Sequence, residues 1–250
     1  STGQYDILEV IARIVDESNF EEFKSSYGKT IVCGTAKIGG MNVGIVANQR
    51  KIQQSETGEM QMGGVIYSDS SDKAARFIMN CNQDRIPLIF IHDVNGFMIG
   101  KTSEWGGIAK DGAKMVNAVA NSVVPKITLV IGGSYGAGNY ALSGRAYNPR
   151  FMFAWPSAKI AVMGGDSAAK TLSQIKLAKM GDVDDETKQK IYNDIKSIYE
   201  VQSDPRYAAA RMWIDEIIDP AETRKVLIRS LKIVSHQTKM PSPNFGILQV

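Results

Sequence analysis

The groups best placed to do chemistry in this chain are main-chain amides gathered around glycine. Gly132, Gly133, Gly136 and Gly138 fall within seven residues, after the apolar run Ile127–Ile131 and before the small-residue run Asn139–Gly144. That order predicts a strand, a bare turn and a helix start. Glycines let backbone N–H groups meet a ligand with no side chain between them. A helix start adds unpaired donors and the positive end of its dipole. The stretch is suited to holding an anion, or a developing oxyanion, by main chain alone. A tight turn with close helix–strand packing is the plainer reading of the same glycines.

Nucleotide binding fits poorly. Gly136-x-Gly138-x-x-Ala141 has the spacing of a dinucleotide fingerprint, but the following strand ends in Ala154-Trp155-Pro156, without the carboxylate that would hold a ribose. No Lys-Ser/Thr pair follows the glycines, so the P-loop pattern fails as well. An oxyanion hole for a carbonyl or ureido oxygen suits these residues better.

Side-chain acids and bases are scarce. His92 and His236 are the two histidines, and no spacing links either to a serine or cysteine nucleophile. His92, at the end of a buried strand beside the pocket, reads as structural or pocket-lining, with general base as the alternative. Asp93 and Asp166 are the candidate acids, although Asp166 reads better as a helix N-cap. Tyr135 and Tyr140 flank the turn, with packing and ligand contact equally open to each. Ala-Lys-Met occurs at 113–115 and 178–180. Both triplets lie in helical pattern rather than on an exposed hairpin tip, so neither reads as a biotinylation site. What remains is an oxyanion-binding arrangement with no obvious protein base.

The elements that must carry these groups follow from periodicity. Asp6–Val15 has helical apolar spacing, and a short helix is expected over Phe20–Lys24. Thr30–Ile38 and Val43–Ala47 form a hairpin about Gly39–Asn42, and 50–66 reads as loop. A helix over Asp69–Cys81 turns Ala74, Ala75, Phe77 and Ile78 inward. Pro87–His92 is a continuous apolar strand. It is followed by a second glycine loop, Asp93–Gly100, and Trp105-Gly106-Gly107 leads into a helix over Ile108–Asn121. Strand, glycine loop and helix therefore occur twice. Parallel crossovers should bring both loops to one end of the sheet, facing one pocket. Phe151–Trp155 and Lys159–Met163 read as strands. Helices are expected from Asp166 or Ser167 to Met180 and over Gly181–Tyr199. Pro205–Arg211 is a turn or helix, Trp213–Ile218 an apolar run, Ala221–His236 an amphipathic helix, and the tail is extended.

Composition sets outer bounds. The 250 residues carry a formal charge of +3, too small to argue for nucleic acid. Cys33 and Cys81 form no metal-ligand spacing, no metal is expected, and no apolar run reaches membrane-spanning length. These features suggest a reduced, cytoplasmic setting, and the length allows one large domain or two small ones, of which a single domain over 1–250 is expected. Residues 1–4 have the look of an expression scar.

The segments 73–78 (KAARFI), 93–116 (DVNGFMIGKTSEWGGIAKDGAKMV), 132–165 (GGSYGAGNYALSGRAYNPRFMFAWPSAKIAVMGG) and 204–215 (DPRYAAARMWID) resemble the carboxyltransferase β subunits of biotin-dependent acyl-CoA carboxylases. The likeness is nearest to the methylcrotonyl-CoA and propionyl-CoA carboxylases. It covers nearly the whole chain in order, and corresponds to the C-terminal, biotin-side half of such a subunit. It implies a crotonase-like (ClpP/crotonase) α/β fold of the ββα superhelix type. It also implies carboxyl transfer between carboxybiotin and the α-carbon of an acyl-CoA. In that family biotin is held to remove the α-proton itself, which accounts for the missing base. Carried over by motif, Ala137 and Gly138 supply the catalytic amides. Phe97, Gly100, Gly106, Gly107, Tyr135, Gly136 and Tyr140 line the substrate site. Tyr140 stands where the propionyl-CoA branch has an acidic residue, and Asn95 where threonine or proline is common, which leaves the acyl group open. The implied partners are a biotin carboxyl carrier, the N-terminal carboxyltransferase domain and further copies of the chain. The implied place is the cytoplasm, or the mitochondrial matrix in a eukaryote. The alternatives are a biotin-dependent decarboxylase half-site, a stand-alone hydratase or hydrolase using His92 or Asp93, and a docking module for a biotinyl protein.

Overall fold

A computed structural model describes residues 3–180 and 183–248. Helix α1, Ile7–Ile14, is capped by Asp6, whose carboxylate accepts from Leu8 N, and it buries Ile7, Ile11 and Ile14. The segment expected as a second helix is instead strand β1, Phe20–Glu22, pairing antiparallel with β2, Ile31–Ile38, so that Phe20 faces Ala36. Gly34 makes room for it, since a Cβ there would lie 2.4 Å from the Phe20 ring. Strand β3, Met41–Asn48, closes the hairpin across Gly39-Gly40, both with positive φ. This is the two-residue turn whose twist matches that of its strands. Asp16 accepts from the N–H groups of Gly39 and Gly40 and pairs with Arg224, which draws its carboxyl down to about 2.

The sheet continues in parallel through β4, Leu88–Val94, then β5, Lys126–Tyr135, and β6, Phe151–Ala154. Strand β7, Lys159–Ala161, pairs with the far end of β5, at Gly133–Tyr135, and β8, Glu216–Ile217, pairs with β6. The spatial order is β1-β2-β3-β4-β5-β6-β8, with β7 beside β5. Central strands are apolar on both faces because both are covered. Ile89, Ile91, Ile127 and Leu129 pack with α1 and the final helix. Leu88, Phe90 and Val46 pack with α2, Ser68–Gln83, and with α4, Ile108–Ala120, which follows the short α3, Lys101–Trp105. Ala74, Ala75, Phe77 and Ile78 are all buried, as their spacing predicts.

Past the sheet, helices Gly165–Met180 and Asp185–Gln202 pack on each other, and Thr223–Val234 forms the last helix. The expected helix over Gly181–Tyr199 falls partly outside the described residues, at 181 and 182, and otherwise begins at Asp185. Asp166 is no N-cap. It lies inside the first turn and reaches across to the Tyr192 hydroxyl and Lys196 Nζ, at 3.1 and 2.8 Å.

Candidate active site

The strand expected to stop at Ile131 runs on to Tyr135, so Gly132 and Gly133 belong to it rather than to the turn. Opposite β4 the ladder slips. His92 pairs with Val130 but Val94 pairs with Ser134, so β5 spends four residues where β4 spends two. Bulges of this kind re-aim a chain. The helix that follows, α5, is Gly136–Ala141 and starts earlier than its sequence suggests. Ala137 and Gly138 lie in its first turn, where N–H groups have no acceptor within the helix. Ala137 is exposed and Gly138 buried.

Both glycines of the turn are required, for different reasons. Gly136 has φ +52°, and a Cβ on it would stand 2.8 Å from the Val162 carbonyl oxygen. Gly138 is not among the positive-φ glycines. A Cβ there would lie 2.6 Å from Val94 Cγ2 and 3.3 Å from Gly96 Cα. The two glycine loops therefore meet at the C-terminal ends of parallel strands, as expected for this topology.

Behind the turn lies a buried polar chain. His92 is fully buried, with Nε2 2.5 Å from the Leu142 carbonyl oxygen and Nδ1 2.9 Å from Ser134 Oγ. A carbonyl only accepts, so Nε2 carries the proton and Nδ1 accepts from the Ser134 hydroxyl. Ser134 Oγ in turn accepts from Asn139 Nδ2 at 2.8 Å. Burial draws the His92 pKa down to about 4, so the ring is neutral at pH 7. Asp93, 3% exposed, accepts from Gly133 N and from the Tyr5 hydroxyl, each at 2.8 Å, and pairs with Arg50 Nε at 3.3 Å. Its carboxylate fills the space a side chain on Gly132 would need, a Cβ there standing 2.3 Å from Oδ1. Burial, and then the Asp93 charge, push the Tyr5 hydroxyl far above its usual range. His92 is thus structural rather than pocket-lining. Neither it nor Asp93 is presented to a ligand as a base, and the hydratase alternative loses both its candidates.

Of the remaining expected residues, three border one cavity and Gly106 another, so the two glycine loops, although in contact, do not open on one shared pocket as expected. Gly136, Ala137 and Tyr140 border a mainly apolar groove of ≈ 760 Å³, closed by Met152, Ile160, Val162 and Trp213. Tyr140 is 49% exposed and leans on the Tyr147 ring, 5.8 Å between centroids. Tyr135 ends β5 half-buried, its ring 2.7 Å from where a Cβ on Gly133 would be. Phe97 packs on Gly112, the closest ring carbon 2.9 Å from a Cβ built there. Gly100, φ +109°, precedes the short helix Lys101–Trp105, and Gly107, φ +94°, precedes Ile108–Ala120. Gly106 opens on a separate cavity of ≈ 540 Å³, shared with Met98, Thr102, Glu56, Glu59 and Asp69. Sequence reading missed Ser134, Asn139 and the Val162 carbonyl. The first two were hidden in small-residue runs, and the third is main chain just past β7.

Among the described residues no group of acidic, histidine or cysteine side chains could hold a metal ion, and no helix is long and apolar enough to cross a membrane. The sheet order and the glycine-rich helix start at the strand ends define a crotonase-like α/β domain. The chain belongs to the carboxyl transferase domain family, which matches residues 1–248. It is 48% identical, over 250 residues, to the biotin-dependent 3-methylcrotonyl-coenzyme A carboxylase beta1 subunit of Mycobacterium tuberculosis, covering 98% of this chain and 44% of that protein. Among solved structures it resembles the β subunit of P. aeruginosa geranyl-CoA carboxylase, with TM-score 0.83 and 38% identity over 98% of this chain and 45% of that one. It also resembles a chain of transcarboxylase 12S, whose structure is a hexamer assembly, with TM-score 0.84 and 35% identity over 99% of this chain and 45% of that one. The chain spans less than half the length of these relatives.

Proposed function

We propose that this chain forms the biotin-side half of a carboxyltransferase site, as one domain, serving carboxyl transfer between carboxybiotin and the α-carbon of an acyl-CoA. The observation that carries the reading is the first turn of α5. Two amides without intrahelical acceptors stand there at the C-terminal end of a parallel sheet, in a turn whose own residues, Gly136, Ala137 and Gly138, carry at most a methyl group. The donor set fits biotin, because a neutral ureido group that gains negative charge on its oxygen needs donors rather than a counter-ion or a base. Bound biotin supplies the carboxyl group and the acceptor for the α-proton.

The chain's residues do the rest. Ala137 and Gly138 N–H groups hold the oxyanion. The bare Cα of Gly138, pressed on Val94 and Gly96, brings the two loops together and keeps solvent from between them. Phe97, Tyr135 and Tyr140 bound the approach beside α5, and Gly100 and Gly107 shape the neighbouring loop, whereas Gly106 faces the separate cavity and is left out of the biotin approach. A biotinyl carrier, a further half of the kind the longer relatives carry, which would bind the acyl-CoA, and further copies of the chain are the proposed partners. A compartment without oxidising disulfide chemistry, cytoplasm or mitochondrial matrix, suits the two free buried cysteines.

Titrating free biotin into the ¹⁵N-labelled chain tests this. The Ala137 and Gly138 amide resonances should move most. Shifts confined to the Gly106 cavity would overturn the assignment.

A further inference from the structure

We propose that His92 and Asp93 are a clamp that sets the position of helix α5, which makes them positioning residues for the amides of Ala137 and Gly138. The proposal rests on the reading of that turn as the oxyanion site. Six residues are too few for a helix to hold itself in water, so the place of α5 must be imposed from outside. Two consecutive residues of β4 grip two consecutive residues of β5: Asp93 takes the Gly133 N–H and His92 takes the Ser134 hydroxyl. They do so inside the bulge, where the regular ladder is interrupted. The grip passes on to α5 at two points. The Ser134 hydroxyl receives Asn139 Nδ2 midway along the helix, and His92 Nε2–H holds the Leu142 carbonyl at its end. The exit is pinned as well. Ser143 is buried with φ +62°, and its carbonyl accepts from Thr128 Oγ1 at 2.7 Å. Every bond in the chain runs in one direction through a neutral imidazole, so it admits one arrangement. His92 and Asp93, singled out as possible chemistry, and Gly132-Gly133, read as part of the turn, are on this account the mount of the site and not its reagents, with Ser134 as the link between them.

Amide hydrogen exchange in the 250-residue chain tests the clamp without any assay of turnover. The reporters are Leu142 N–H and Gly144 N–H, which donate to Gly138 and Asn139 carbonyls. Ser134→Ala and His92→Gln should each speed their exchange by about tenfold, the effect of losing one buried hydrogen bond. Amides of the 31–48 hairpin should be unchanged, and Ser134→Thr, which keeps the hydroxyl, should restore protection. Unchanged exchange at 142 and 144 in both variants overturns the clamp. In a protein with the upstream half restored, the same variants should lower kcat by roughly tenfold with KM for the acyl-CoA unaltered. Faster exchange with an intact kcat would leave the clamp standing and remove the oxyanion role of the turn.

Discussion

The α-carbon of Gly138 lies against the side chain of Val94, close enough that an added Cβ would stand 2.6 Å from Cγ2 and 3.2 Å from Cγ1. Contact, not dihedral angle, is what demands glycine here, since Gly138 is absent from the positive-φ glycines. Gly138→Ala should therefore cost about 1–3 kcal/mol through overpacking. Val94→Ala should relieve it. The double variant should be more stable than the sum of the single effects by on the order of 0.5 kcal/mol or more. Urea unfolding of the four proteins measures this, and strict additivity would contradict the contact.

Gly138→Pro probes the donor itself. Proline is tolerated in a first helical turn because no intrahelical bond is lost there. Proline brings the same Cβ against Val94 as alanine does, so Gly138→Ala is the control; what proline removes in addition is the proposed N–H, and loss of one oxyanion donor costs on the order of 10²–10³ in rate, about 3–4 kcal/mol. With the upstream half restored and folding verified by circular dichroism, Gly138→Pro should lose more activity than His92→Gln or Asp93→Asn. Full activity in Gly138→Pro beside an inactive His92→Gln would return the chemistry to a side-chain base.

His92 makes stability depend on acidity with a definite sign. Its pKa falls from 6.5 to about 4 on folding, chiefly by desolvation. Below about pH 6.5 the unfolded chain binds a proton that the native ring refuses. The His92 contribution is thus complete above that pH and declines as pH falls toward 4. Between pH 7 and pH 5 the loss should be about 2 kcal/mol. Denaturant midpoints at the two pH values should show it, and His92→Gln should abolish that part of the difference.

Alone, this chain should carboxylate neither propionyl-CoA nor methylcrotonyl-CoA. The longer relatives have a further half, here proposed to hold the acyl-CoA. Incubation with carboxybiotin and each thioester, followed by mass spectrometry, should show product at background level, and addition of the further half from a longer relative should raise it. Robust product from the chain alone would show that its own surface binds the thioester.

Much of this protein was legible in its residue order. The apolar run in Pro87–His92 marked a strand covered on both faces, which the fold extends to Val94, and spacing placed Ala74, Ala75, Phe77 and Ile78 inside. Local glycine chemistry located the turn and tied it to a helix start, and the motifs around it carried the family. What spacing could not weigh was any contact between segments distant in sequence. Phe20–Glu22 has too few residues for a period, and became a strand because β2 offered an edge and Gly34 a seat for the Phe20 ring. Gly132 and Gly133 read locally as turn. They stayed in β5 because the Asp93 carboxylate, 40 residues earlier, occupies the side-chain space of one and bonds the amide of the other. Asp166 had the look of a cap, yet its partners arrive from the next helix. His92 shows the division best. Its position at the end of a buried strand was evident from sequence, whereas its role was set by Ser134 and Leu142, and only the folded chain brings those groups within hydrogen-bonding reach. Local propensity and periodicity write the elements, while burial and the partnering of polar groups across the sheet decide what each side chain does.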